Sequence, residues 1–159
     1  MVQKKKWINP TKAITLLAVL LLGACTTMHC PPLSSDQQAL LQNQPASTPE
    51  PEKAEHYYQL SMQCLSDETN PQNFNTSINW LQLSAVLGDA NAQYKLANAY
   101  IKGIGVPVNA QLAFSWMLQS AQQGNVFAQA SLSYMYANGI GITPDQEMAS
   151  YWQQQAQAN

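Results

Sequence analysis

From about residue 55 onward, apolar positions recur with the spacing of helices and not of strands. Ala92, Leu96 and Tyr100 share one stripe, and Ala128, Leu132 and Tyr136 repeat it further along. Polar residues lie between them, as in helices that bury a single face. The punctuation agrees. Asp89 is placed to cap a helix running to about Lys102, and Gly103 offers the left-handed position that ends it. Asn109 and Asp145 sit as N-caps of second helices that carry Leu112, Ala113, Trp116 and Met117, then Met148, Ala149 and Trp152. Gly124 closes the first of these, and Thr143-Pro144 offers a competing start for the other a residue or two earlier.

The pattern is written twice. Ala92-Gln93, Leu96, Tyr100, Gly103-Ile104-Gly105, Ala113, Trp116 and Gln119 each recur 36 residues later, from Ala128-Gln129 to Gln155. A fixed period of this length marks a solenoid, in which each unit buries its apolar face by stacking on a neighbour. Stepping back by the same period, Leu60 falls on Leu96, Trp80 on Trp116, Ala85 on Ala121 and Gly88 on Gly124. In this worn copy Asp67 and Thr69 replace the turn glycines, and Cys64 takes the tyrosine position. The chain thus predicts a degenerate capping unit over 56–91, then units over 92–127 and 128–159. The glutamines from Gln153 to Gln157 give the last helix a polar outer face.

These residues resemble the SEL-one-like repeat family, a helical-hairpin relative of tetratricopeptide repeats. The unit from Ala92 matches the family pattern at Ala92, Leu96, Tyr100, Gly103, Gly105, Val106, Ala113, Trp116, Ala121 and Gly124. It departs at Asn109, where the family prefers aspartate; the next unit restores Asp145. The resemblance implies an all-α fold, a short right-handed α/α solenoid of about three antiparallel helix-hairpin repeats. It also implies that first-helix positions off the apolar stripe line a concave binding face. Here those are Tyr94, Lys95 and Asn98, with Ala130, Ser131 and Tyr134 as their equivalents. Because Tyr100, Trp116, Tyr136 and Trp152 repeat, they read as core, and recognition is expected where the copies differ.

The N-terminus carries a different signal. Lys4, Lys5, Lys6 and Lys12 precede an apolar run from Ala13 to Leu22, far short of the ~20 residues that span a bilayer. Leu22-Gly23-Ala24-Cys25 resembles the bacterial lipobox. That resemblance implies cleavage after residue 24, a diacylglyceryl thioether on Cys25 and an acyl chain such as palmitate on the new N-terminus. Two anchoring groups suffice for stable membrane attachment. Thr26, where aspartate would signal retention at the inner membrane, implies the outer membrane, with the domain on its periplasmic face. Residues 1–24 are thus expected to be a signal peptide, and 25–54, rich in Pro, Gln and Ser, a disordered tether with at most one helical turn at Ala39-Leu40-Leu41. The folded domain is expected over 55–159.

Removal of the signal leaves Lys53, Lys95 and Lys102 against nine carboxylates, a formal charge of −6 with no arginine. Nucleic acid is thereby excluded as an expected partner, since phosphate binding needs clustered Lys and Arg. Candidate chemistry is sparse. Cys30 and Cys64 form either a disulfide in an oxidising compartment or two independent thiols, Cys64 buried in a small slot. His29-Cys30 lacks a second pair of metal ligands, and His56 and Cys64 lie ~12 Å apart along a helix axis. Asp67-Glu68 read as a solvated turn. Gly103-x-Gly105 and Gly139-x-Gly141 follow helices and lack a third glycine, so they do not read as a phosphate cradle. No catalytic residue, metal or cofactor is expected. The function predicted is a non-enzymatic scaffold for a protein or peptide partner. The alternative, by family analogy, is peptidoglycan-fragment binding or cell-wall enzyme activity.

Overall fold

The computed structural model describes residues 30–43, 50–65 and 71–158. Among them are seven helices: α1 Ser35–Asn43, α2 Pro51–Leu65, α3 Pro71–Val86, α4 Ala90–Lys102, α5 Ala110–Gln122, α6 Val126–Asn138 and α7 Gln146–Ala158. Helices α2/α3, α4/α5 and α6/α7 pair as antiparallel hairpins, and each hairpin stacks on the next to give an α/α solenoid.

Side-chain caps set the helix starts. The Asp89 carboxylate accepts the Ala92 N–H at 2.6 Å, Asn109 accepts that of Leu112 at 3.0 Å, and Asp145 accepts those of Glu147 and Met148. Asn125, at the place of Asp89 one unit on, caps α6 through the Ala128 N–H. Gly103 and Gly139 end α4 and α6 with φ of +69°, where a side chain is disfavoured. Each turn then closes onto its own helix, through Asn109 N–H to Tyr100 O and Asp145 N–H to Tyr136 O.

Buried polar side chains stitch the hairpins in register. Ser84 Oγ donates to Ala54 O at 2.6 Å, and one unit later Ser120 Oγ donates to Ala90 O at 2.6 Å. Gln93 and Gln129 reach back into the preceding unit, donating to Ala85 O and Ala121 O. Each such bond contributes ~0.5–1.5 kcal/mol net, and losing one partner strands a buried group.

The apolar core runs the length of the stack. Ile78, Leu81 and Ala85 of α3 meet Ala92, Leu96 and Ala99 of α4. Ala97, Phe114, Met117 and Ala121 of the second hairpin meet Leu132 and Met135 of the third, with Trp152 behind them. The repeated Tyr100, Trp116, Tyr136 and Trp152 all pack in these clusters. In the third hairpin, Ala97, Phe114, Met117 and Ala121 are replaced by Ser133, Ser150, Gln153 and Gln157, of which only Ser133 is partly buried. The stack therefore ends on a polar face.

At the other end the fold departs from the sequence reading. Residues 30–43 are packed, not a loose tether. Cys30 is joined to Cys64, with Cα atoms 5.2 Å apart, and both are buried. Leu33, Leu40 and Leu41 pack with Tyr57, Leu60, Trp80, Leu83 and Leu87. The Trp80 indole N–H donates to Pro31 O at 2.8 Å, and Gln37 donates to the Tyr57 hydroxyl. This short stretch is ordered because a covalent bridge and three leucines offset the entropy of fixing it. The repeat domain also begins earlier than residue 55, since α2 starts at Pro51.

Asp89 carries a pH dependence. Burial raises its carboxyl above the ordinary 3.8, outweighing the Ala92 N–H bond, and the neighbouring Glu55 raises it further. A carboxyl raised on folding contributes stability that is fully present below the unfolded value and is lost as pH rises through the folded one. Asp89→Asn keeps an equally good cap, as Asn125 does in the next unit. Urea midpoints between pH 3.5 and 7 are therefore expected to fall less steeply with rising pH in Asp89→Asn than in the parent. Parallel profiles would refute the assignment.

Candidate protein-interaction surface

Stacking brings the first helices of the second and third hairpins side by side. Near their N-termini α4 and α6 are joined: Asn125 donates to Asn91 Oδ1 at 3.1 Å, and the Tyr94 and Phe127 rings stand 6.0 Å apart. Further along, a groove of about 440 Å³ lies between the two helices. Asn98 and Ile101 line it from α4, Ala130, Ser131, Tyr134 and Met135 from α6, and Ile140 from the turn that follows.

Tyr134 dominates this surface. Its side chain is 63% exposed, unlike Tyr136 two residues on, which packs edge-on against Phe114. Tyr134 also borders a second hollow of about 510 Å³ between α6 and α7, whose lining includes Val126, Ala137, Gln153 and Ala156. One exposed aromatic thus stands between two concavities. No charged side chain lines either of them.

Of the residues singled out in the sequence, Asn98, Ala130, Ser131 and Tyr134 share the groove. Asn98 is held by its amide, which donates to Tyr94 O at 2.9 Å. Tyr94 lies outside the lining, half-buried against the core beside Phe127. Lys95 is half-buried and does not line the groove either. Sequence reasoning missed Ile101, Met135 and Ile140, because an apolar side chain at helical spacing carries no mark that separates a groove from a core. Cys25, His29, Asp67 and Glu68 lie outside the described residues. Cys30 and Cys64 are consumed by their bond. Among the described residues no three His, Cys, Asp or Glu side chains gather as metal ligands, and no helix is long and apolar enough to cross a membrane.

Tyr136, on the buried side of α6, is raised above the usual phenol range by burial and by Asp145. Tyr58 is raised likewise by burial, Asp89 and Glu55. Both hold their protons as structural phenols.

A stack of helical hairpins with a side groove and a polar end defines the class: an α/α repeat solenoid. The Sel1 repeat model matches residues 42–61, 71–89, 90–125 and 126–156, and the chain belongs to that family. The first two matches flank the gap where the turn glycines are lost. Among solved structures, a Sel1 repeat protein from Oxalobacter formigenes is 29% identical, with a TM-score of 0.63 over 77% of this chain and 86% of its own. A protective antigen present in uropathogenic Escherichia coli strains, displaying an SLR fold, is also 29% identical, with a TM-score of 0.61. That match covers 67% of this chain and 22% of the antigen. No curated protein matches. Sel1 repeats are scaffolds that generally mediate protein–protein interaction and are typically non-enzymatic.

Proposed function

We propose that this chain is a non-enzymatic envelope lipoprotein, anchored through Cys25 to the periplasmic face of the outer membrane, whose α4–α6 groove binds an extended segment of a protein partner. The single observation that carries the binding reading is Tyr134, an exposed aromatic between two uncharged concavities on a repeat scaffold. Tyrosine supplies a large contact area at small entropic cost and is enriched among residues that dominate binding energy. The lipobox and the preceding basic and apolar segments support the anchoring.

Photo-crosslinking tests the groove. With a photoreactive side chain at position 134 in the envelope-expressed protein, an adduct of defined mass is expected. The same group at exposed Gln119 on α5 is expected to give none. Tyr134→Ala is expected to lower partner recovery at least tenfold, ~1.4 kcal/mol or more, with Tm within about 2 °C of the parent because the ring is exposed. Equal adducts at both positions, or undiminished recovery, would remove the groove from consideration. Retention of muropeptides that is lost in Tyr134→Ala would replace the protein partner with a cell-wall fragment.

A further inference from the structure

The start of the described chain is fixed to the end of the solenoid three times over. Cys30 is bonded to Cys64, Pro31 O accepts the Trp80 indole N–H at 2.8 Å, and the Leu33 side chain is buried among Trp80, Leu83 and Leu87. This matters because Cys30 follows the proposed lipid-bearing cysteine by only five positions. We infer that the solenoid is held directly over the lipid surface, leashed at its α1 end. The inference rests on the reading of Cys25 as the anchored residue.

Covalent geometry carries the step. A fully extended chain advances at most ~3.3–3.6 Å per residue, so Cys30 stays within ~18 Å of Cys25. Had the first fixed residue been Pro51, 26 positions from Cys25, the span would reach ~90 Å and a flexible coil would average ~25–30 Å. The disulfide and the packing of residues 31–41 thus convert a proline-rich tether into a short leash. The groove lies between the second and third hairpins, and packed helices stand ~8–10 Å apart, so it sits ~20 Å beyond the α1 end. A partner must therefore come within ~40 Å of the membrane to fill it. That distance favours another membrane-associated chain over one confined to the middle of the compartment.

Neutron reflectometry of the full-length, oxidised, lipid-modified protein on a supported bilayer reads this directly. Protein density is expected to begin within ~18 Å of the headgroups. A 20-residue Gly/Ser insertion after Thr27 leaves the disulfide and every packed residue untouched. It is expected to open a hydrated gap averaging ~25–30 Å. Mass measurement of the same samples keeps the two ideas apart. A chain without lipid on Cys25 overturns the anchoring and this inference with it. A lipid-bearing chain already separated by a gap wider than ~18 Å, or one unaffected by the insertion, overturns the inference alone.

Discussion

Replacing Cys30 and Cys64 by serine lowers the unfolding free energy by about 3–4 kcal/mol and Tm by roughly 10 °C. The bridge closes a loop across a sequence separation of 34 residues, and the entropy it removes from the unfolded chain scales with the logarithm of that length. Part of the loss is local. Without the bridge, residues 31–43 are still held by Leu33, Leu40 and Leu41, by the Trp80–Pro31 bond and by the Gln37–Tyr57 bond. Nine residues of helix at the edge of the stack open more readily than its interior. Hydrogen exchange across Ser35–Asn43 is therefore expected to accelerate more than exchange in α4–α7. Thermal melts of the oxidised parent and the double serine variant measure the first effect, and exchange mass spectrometry the second. Equal melting temperatures would show that the bridge constrains nothing the packing does not already hold.

The second large effect is expected at Gly141. Its φ is +73°, and a Cβ added there meets the carbonyl oxygen and carbon of Ala110, the first residue of α5. Gly141→Ala therefore combines the left-handed penalty, ~1–2 kcal/mol, with a clash against backbone that cannot rotate away. Relief requires the third hairpin to lift from the second, for a total of roughly 3 kcal/mol or more. Gly124 is the control: its φ is +87°, but an added Cβ meets nothing within 4 Å, so Gly124→Ala is expected to cost only ~1–2 kcal/mol. Gly105, one unit before Gly141, faces the Ile78 and Phe74 side chains, which can shift, and should fall between. Urea unfolding of the three variants ranks them. A Gly141→Ala loss no larger than that of Gly124→Ala would show that the hairpins do not abut as described.

Helices α4–α7 and all their N-caps but one were legible because the same punctuation occurs twice, so each copy supports the reading of the other. Asn125 escaped notice because Gly124 before it already read as a stop; only its equivalence to Asp89 gives it away. The clamps of Ser84, Ser120, Gln93 and Gln129 were invisible for a physical reason: their acceptors are backbone carbonyls, which leave no trace in side-chain identity. Helix α1 hid for another. Its apolar residues are few, and their main partner, Trp80, lies some 40 residues away, so local composition read as an unpacked tether. At the groove, the exchange of Asn98 for Tyr134 between copies was visible. The packing of α4 and α7 on either side of α6, which leaves Tyr134 bordering two hollows, was not. Tyr94 shows the limit of analogy, since Phe127, aligned with Asn91 in the other copy, draws its ring half out of solvent.

The polar end of the stack has an architectural consequence. Copying the last hairpin onto itself would set Ser150, Gln153 and Gln157 against an incoming apolar helix, burying amides with no partners to meet them. A copy of residues 90–125 inserted after position 125 would instead find Phe114, Met117 and Ala121 on one side and Leu132 and Met135 on the other. An array of this design lengthens from its interior, as a bookshelf takes new volumes between its bookends, and each added volume would carry the groove further from the shelf's fixed end.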